Sequence, residues 1–371
     1  MATKPEIRIF FEAFWNGFPV YDNIVTRALS LTRDVVLVDN DPDVVFHKGH
    51  FTNPNASAST KIINFAANEN INLTPAPDCS SEGKFSNAVN ISWIVESMNR
   101  EGGPNYDTCD YSLASCSFDD DRHYRIPFWT TQINWNSAQE YDPNRGPTYF
   151  INLEQLRQQV YEKQDAWSNA NPSQKPWQSI DAGRGPTGFV DPDDLCQPTN
   201  SEPRKRKCCS VASNPMGRRL DFYPKISEAM NVVHGGDFLR NTTDQDEMWE
   251  KPGNSDYLEK IKFISQFKSH LCFENDDRDG YVCEKILHAF HAGCLPIYWG
   301  PKNVGEDFNK RAFIDIRDYP DDETAIAHIK EVLNDESKLQ EYLNEPIFPD
   351  GKIPYHATPE ALNDFFIKIG I

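Results

Sequence analysis

The chain has 371 residues, enough for two hydrophobic cores, and is 39% hydrophobic, 25% charged and 12% aromatic, which excludes a disordered polymer. Its formal net charge of −19 excludes a general binder of nucleic acids or anionic membranes, because such a surface repels phosphate groups. Nine cysteines, with no Cys-x-x-Cys pair among them, offer no zinc framework and read as buried free thiols.

Short apolar runs bounded by polar turns alternate with helical patterns along the chain. Residues 7–15 predict a strand, whose apolar stretch is interrupted by Glu12 and too short for a signal or a membrane span. A cytoplasmic protein is therefore expected. Residues 22–31 predict a helix, and 34–38, 41–46 and 61–66 predict strands. Residues 70–106, rich in Asn, Ser, Pro and Gly around an apolar helix candidate at 89–99, read as an insertion. Strand character resumes at 110–118, followed by RHYRIPFW at 122–129. Residues 136–205 contain an amphipathic helix near 152–163 and end in the basic run PRKRK (203–207), which reads as a solvated linker. The domain boundary is placed here.

In the second half, CCSVAS (208–213), HLCFEN (270–275), LPIYWG (295–300) and AFIDI (312–316) predict strands. Helices are expected at 221–233, 257–267, 281–293 and 322–343, with a final amphipathic helix at 358–369. This alternation predicts the α/β class with a doubly wound sheet. Three units follow: residues 1–200, with insertions near 70–106 and 136–200; residues 201–345; and a tail at 346–371.

Ligands of open α/β sheets bind beyond the carboxyl ends of the strands. Four such ends carry polar residues that apolar packing does not explain: Asn68-Glu69-Asn70, Asn214, Glu274-Asn275 and Gly300-Pro301. The segment ENDDRDGYVCEK (274–285) runs from a strand end through a polar loop into a helix, whose N-terminus attracts anions. Lys285 in the first helical turn opposes the macrodipole, at a cost of roughly a few tenths of a kcal/mol. Either a bound diphosphate reverses that cost or the lysine reaches solvent opposite Glu284, and position alone leaves both open. Arg218 and Arg219 follow a strand and could form a fork onto a phosphate, although an isolated Arg there is more often a surface residue. Glu69 at a strand end could act as a general base, although alone it reads as a surface carboxylate. The acidic runs 119–121 and 191–194 read as turn formers, and His288 and His291 as helix-surface or sheet-packing residues, not ligands.

These residues carry a resemblance. LCFEN…GYVCEKILHAFHAGCLPIYWGP closely resembles the signature of the α1,3-fucosyltransferase family. The likeness continues in VASNP, RRLDFY, HGGDFLRN and DFNKRAFIDIRDY, covering nearly all of 205–345. In the first half DPDVVF, KIINFAANEN and PNYDTCDYSLASCSFDDDRHYRIPFW are similar to the family's acceptor-side segments, and the bacterial, soluble branch is the closer match.

The resemblance implies a GT-B type glycosyltransferase: two Rossmann-like domains facing a cleft, the first binding a glycan acceptor and the second GDP-fucose. It implies that Arg219, Tyr281 and Lys285 contact the diphosphate, that Asn275 helps hold the phosphates or the sugar, and that Glu284 takes the ribose hydroxyls. Glu69 would be the base of an inverting single displacement, onto a hydroxyl such as the 3-hydroxyl of GlcNAc, with neither metal nor cofactor. Two departures stand out: Cys283 occupies a position where the family usually has Thr, and Asn68 stands where Gly usually precedes the base. A transferase of the same fold using another nucleotide sugar is one alternative. A non-catalytic carbohydrate-binding relative is another, against which the Asn275-Tyr281-Glu284-Lys285 set speaks, since a lectin needs no phosphate clamp.

Overall fold

The computed structural model describes residues 4–12, 23–38, 41–48, 87–94, 109–133, 204, 206–242 and 257–371. Two all-parallel sheets organise them. The first contains β1 (Glu6–Glu12), β2 (Asp34–Leu37), β3 (Val44–Lys48), β4 (Val89–Ile94), β5 (Tyr111–Ala114) and β6 (His123–Arg125), in the order β2-β1-β3-β4-β5-β6. Ile9, Val45, Phe46, Ile91 and Leu113 on these strands are completely buried, as parallel sheets covered on both faces require. Helix α1 (Ile24–Thr32) crosses between β1 and β2, with Asn23 as its N-cap accepting the Thr26 N–H at 2.9 Å.

Residues 89–94 correct one expectation. They form a strand between β3 and β5 rather than part of a helix at 89–99, so they are not an insertion either. Val89, Ile91 and Trp93 alternate with Asn90 and Ser92, a period of two, and β-branched and aromatic side chains suit a pleated surface. The expected strand at 61–66 and helix near 152–163 lie outside the described residues.

The second sheet contains β7 (Arg206–Ser210), β8 (Val232–His234), β9 (Phe267–Phe273), β10 (Leu295–Trp299) and β11 (Ile314–Asp315), in the order β11-β10-β9-β7-β8. Its helices are α2 (Arg219–Ala229), α3 (Tyr257–Ile264), α4 (Glu284–His291), α5 (Asp322–Asn334) and α6 (Glu336–Leu343). The single helix expected over 322–343 is thus two. Asp335 adopts extended dihedrals and its carboxylate accepts from the N–H groups of Ser337 and Lys338, ending one helix and capping the next. Among the described residues no helix is long and apolar enough to cross a membrane.

The tail returns to the first sheet. Helix α7 (Pro359–Lys368) packs on α1, and Thr32 donates to Asn363 at 2.9 Å. Phe366 meets Phe46, and Phe365 meets Tyr111 and Tyr124, with ring centroids 5.3 to 6.2 Å apart.

A polar joint fastens the two sheets. Arg125 at the end of β6 makes a bidentate pair with Asp307, at 2.8 and 2.6 Å. Trp129 Nε1 donates to the same carboxylate at 3.1 Å, and His356 Nε2 lies 2.7 Å from its other oxygen. Asp307 is completely buried. Burial alone raises its pKa, but Arg125 and His356 outweigh that and hold it below the ordinary carboxylate range. Because the folded-state value is depressed, this contribution to stability is complete above the unfolded pKa and is lost as pH falls through the folded one. Arg125→Leu strands the Asp307 charge, so it should cost about 3 kcal/mol or more in urea unfolding and lessen the acid sensitivity of the midpoint.

Candidate active site

The winding of the second sheet reverses between β7 and β9, and their carboxyl ends border the crevice in which doubly wound folds take ligands. Arg219, the first residue of α2, lies there and is only 3% exposed. It donates to the Asn214 carbonyl at 3.0 Å, to the Phe273 carbonyl at 2.6 Å and to Asn275 Oδ1 at 2.8 Å. One guanidinium therefore ties the loop after β7 to the loop after β9. The two loops approach so closely that a Cβ on Gly217, whose φ is +56°, would lie 3.1 Å from the Asn275 carbonyl oxygen.

Lys285 falls in the first turn of α4, as the sequence predicts. Its ammonium is 3.0 Å from the completely buried Glu274 carboxylate and 4.0 Å from Glu284. The other Glu274 oxygen accepts the Cys283 N–H at 2.7 Å. Cys283 is the N-cap of α4, and its side chain makes no capping bond. Glu274 thus provides both an acceptor for the helix N-terminus and a counter-charge for the lysine. Burial works against the charge on Lys285, but Cys283, Glu274 and Glu284 prevail and hold its pKa well above the ordinary lysine range. The Cys283 thiol is itself pushed far up, by burial first and Glu274 second, so the direct contact that secures the lysine charge is the Glu274 carboxylate.

The loop between these anchors is held from both sheets. Arg317 donates to Asp277 at 2.6 Å and to the Gly300 carbonyl at 2.7 Å, with its guanidinium 5.0 Å from the Trp299 ring centroid. The Gly280 N–H donates to Asn303 at 3.0 Å, and the Gly280 carbonyl accepts from Arg125 at 2.8 and 3.0 Å. From the first sheet's side, the Ser117 N–H donates to the Asp279 carbonyl at 2.9 Å.

The structure brings Arg219 and Asn275 into hydrogen bonding and places Glu284 beside Lys285. Tyr281 is set apart: it is completely buried in a cluster with Ile94, Ala114, Cys116 and Cys283 at the junction of the sheets. Glu69 lies outside the described residues; it falls in the connection between β3 and β4. That connection begins beside the first sheet's own reversal point, between β1 and β3. His288 and His291 are buried, and burial drives the pKa of His291 down to about 3, as suits packing residues.

Sequence reasoning missed Arg125, Asp307 and Arg317, and it gave Glu274 no partner. An unexplained carboxylate at a strand end was the available signal for Glu274. No local pattern marks the other three, because their ion-pair partners lie between 40 and 182 residues away in the chain.

Comparison with known proteins places this geometry in context. Residues 201–345 match the family described as glycosyltransferase family 10 (fucosyltransferase), C-terminal domain. An alpha-(1,3)-fucosyltransferase from Helicobacter pylori is 39% identical over 140 residues, covering 37% of this chain and 27% of that protein. The 4-galactosyl-N-acetylglucosaminide 3-alpha-L-fucosyltransferase 9 of Bos taurus is 29% identical over 148 residues, covering 38% of each. The chain therefore spans well under half the length of these relatives. A solved alpha1,3-fucosyltransferase with GDP superimposes with a TM-score of 0.61 at 22% identity, covering 100% of this chain and 92% of that one. One with GDP-fucose gives 0.59 at 21%, covering 99% and 91%. The fold is the GT-B type implied by the sequence resemblance.

The pinned loop has a direct test. Gly280 has φ of +83°, and a Cβ there would lie 2.6 Å from Arg125 Nε and from Ser117 Oγ. Gly280→Ala should destabilise the protein by about 1–3 kcal/mol, read from calorimetric unfolding, with a smaller effect in an Arg125→Leu background.

Proposed function

We propose that this chain is an α1,3-fucosyltransferase that moves fucose from GDP-fucose to a hydroxyl of a glycan acceptor, with inversion at the anomeric carbon. The observation that carries the reading is the pre-formed loop from Asn275 to Lys285 at the β7–β9 reversal, within the segment that matches the fucosyltransferase family. An anionic leaving group needs fixed positive charge at the place where charge develops. Lys285 and the N-terminus of α4 supply it, and Arg219 keeps the surrounding loops in place. Asn275 bears on the phosphates or the sugar, and Glu284 on the ribose hydroxyls. Tyr281 supports the loop from beneath and reaches the donor only through a rearrangement of its buried cluster.

In the proposed reaction Glu69 removes the acceptor proton as that oxygen attacks the anomeric carbon. The sugar passes through an oxocarbenium-like state while the bond to GDP breaks, and the departing diphosphate takes up negative charge beside Lys285. The acceptor is a GlcNAc-containing glycan, with transfer to the 3-hydroxyl.

The test is turnover of GDP-fucose with N-acetyllactosamine, with the product linkage read by NMR. An α1,3-linked product is expected, and the absence of both transfer and GDP release would sink the reading. Glu69→Ala should lower turnover at least about 100-fold, as loss of a general base does, while GDP affinity stays within about twofold. A comparable loss of GDP affinity would remove Glu69 from the base role. Because Lys285 and the helix N-terminus supply the cationic field, turnover should survive EDTA, and activity abolished by EDTA and restored by Mn²⁺ would refute that part.

A further inference from the structure

We propose that Glu274 is a positioning residue for the donor diphosphate, acting through Lys285 and the N-terminus of α4. This rests on reading the β7–β9 crevice as a diphosphate site. Glu274 is completely buried and both of its oxygens are engaged, one by the Cys283 N–H at 2.7 Å and one by Lys285 at 3.0 Å. Its surroundings leave no room to turn away: a Cβ on the adjoining Gly300 would lie 2.8 Å from Glu274 Cγ and 2.3 Å from the Tyr298 hydroxyl.

The consequence concerns Lys285. A free lysine loses rotamer entropy when it closes on a phosphate. Here that ordering occurs on folding, since the ammonium is already fixed against a buried wall. Glu274 balances the lysine while the crevice is empty, so a buried cation does not stand uncompensated before an anion arrives. Its second bond keeps the first turn of α4, whose dipole points at the same place, wound and oriented. The family resemblance assigns the donor contacts to Arg219, Asn275, Tyr281, Glu284 and Lys285; Glu274 is not among them and sets the position of Lys285 and of the N-terminus of α4.

Glu274→Gln has the same size, and its carbonyl oxygen can still accept the Cys283 N–H. Its amide group, turned toward the ammonium, cannot hold Lys285. GDP affinity by titration calorimetry should fall about tenfold, the size of coupling expected between residues in contact. Lys285→Ala should weaken GDP binding by a similar factor and also lower the unfolding temperature, because it strands the Glu274 carboxylate. In the double variant GDP affinity should stay where Lys285→Ala alone put it, while the unfolding temperature rises again. A purely structural carboxylate predicts instead that the two affinity losses multiply, and that result overturns the proposal. So does wild-type GDP affinity in Glu274→Gln.

Glu274→Asp, which keeps the charge but withdraws it by one methylene, gives a second reading if Gln does not fold. Intermediate GDP affinity is expected, and wild-type affinity with an unchanged unfolding temperature overturns the role. If the wild-type protein binds no GDP, the diphosphate reading itself fails and Glu274 falls with it. If it binds and the Glu274 variants bind equally well, only the positioning role fails.

Discussion

The bidentate pair between Arg125 and Asp307 is the interaction on which the two-sheet arrangement turns. Asp307 has no access to water, so its charge depends on Arg125, Trp129 and His356, which all lie outside the second sheet. Docking of the first sheet and the tail is thus what makes that carboxylate tolerable. The same guanidinium also grips the Gly280 carbonyl. Closing the junction and shaping the crevice loop are one event, and the two cannot be uncoupled by a local change.

Charge inside the crevice follows a different logic from charge outside it. The chain as a whole carries −19, yet the groups at the β7–β9 ends are cations held by carefully placed acceptors. Lys285 at a helix N-terminus looks unfavourable in sequence, and a diphosphate is one way to offset it. The structure supplies another in Glu274, which leaves the lysine ordered before any ligand arrives. Arg219 is likewise ordered before any ligand arrives. At 3% exposure its Nη groups bind Asn214, Phe273 and Asn275, which ties the crevice walls together.

Much of the second sheet was legible because parallel strands there are short apolar runs with polar ends, and the segment 270–300 contains strand, loop, helix and strand without interruption. The first sheet was less so. Val89–Ile94 was mistaken for a helix because it stands alone between polar segments, where its period of two has only six residues in which to show. The break at Asp335 was hidden because apolar residues at helical spacing continue on both sides of it, while a single capping carboxylate decides the matter. Contacts between segments distant in the chain, such as Arg125 with Asp307 and Phe46 with Phe366, depend on tertiary proximity that no window of sequence contains.

The cysteine at 283 shows how a local departure can be absorbed. A threonine at an N-cap offers its hydroxyl to the helix, and a thiol is a poor substitute. Here the side chain at 283 is turned into an apolar cluster with Ile94, Ala114, Cys116 and Tyr281, an environment that favours a thiol over a hydroxyl. Glu274, at the end of β9, meets the cap's own N–H at 2.7 Å. That carboxylate, nine residues earlier, satisfies the backbone N–H of residue 283 itself, a different donor from the first-turn N–H groups that a threonine hydroxyl would accept. That carboxylate also holds Lys285, so at this helix start the replacement of a hydroxyl by a thiol leaves the cationic element of the crevice intact.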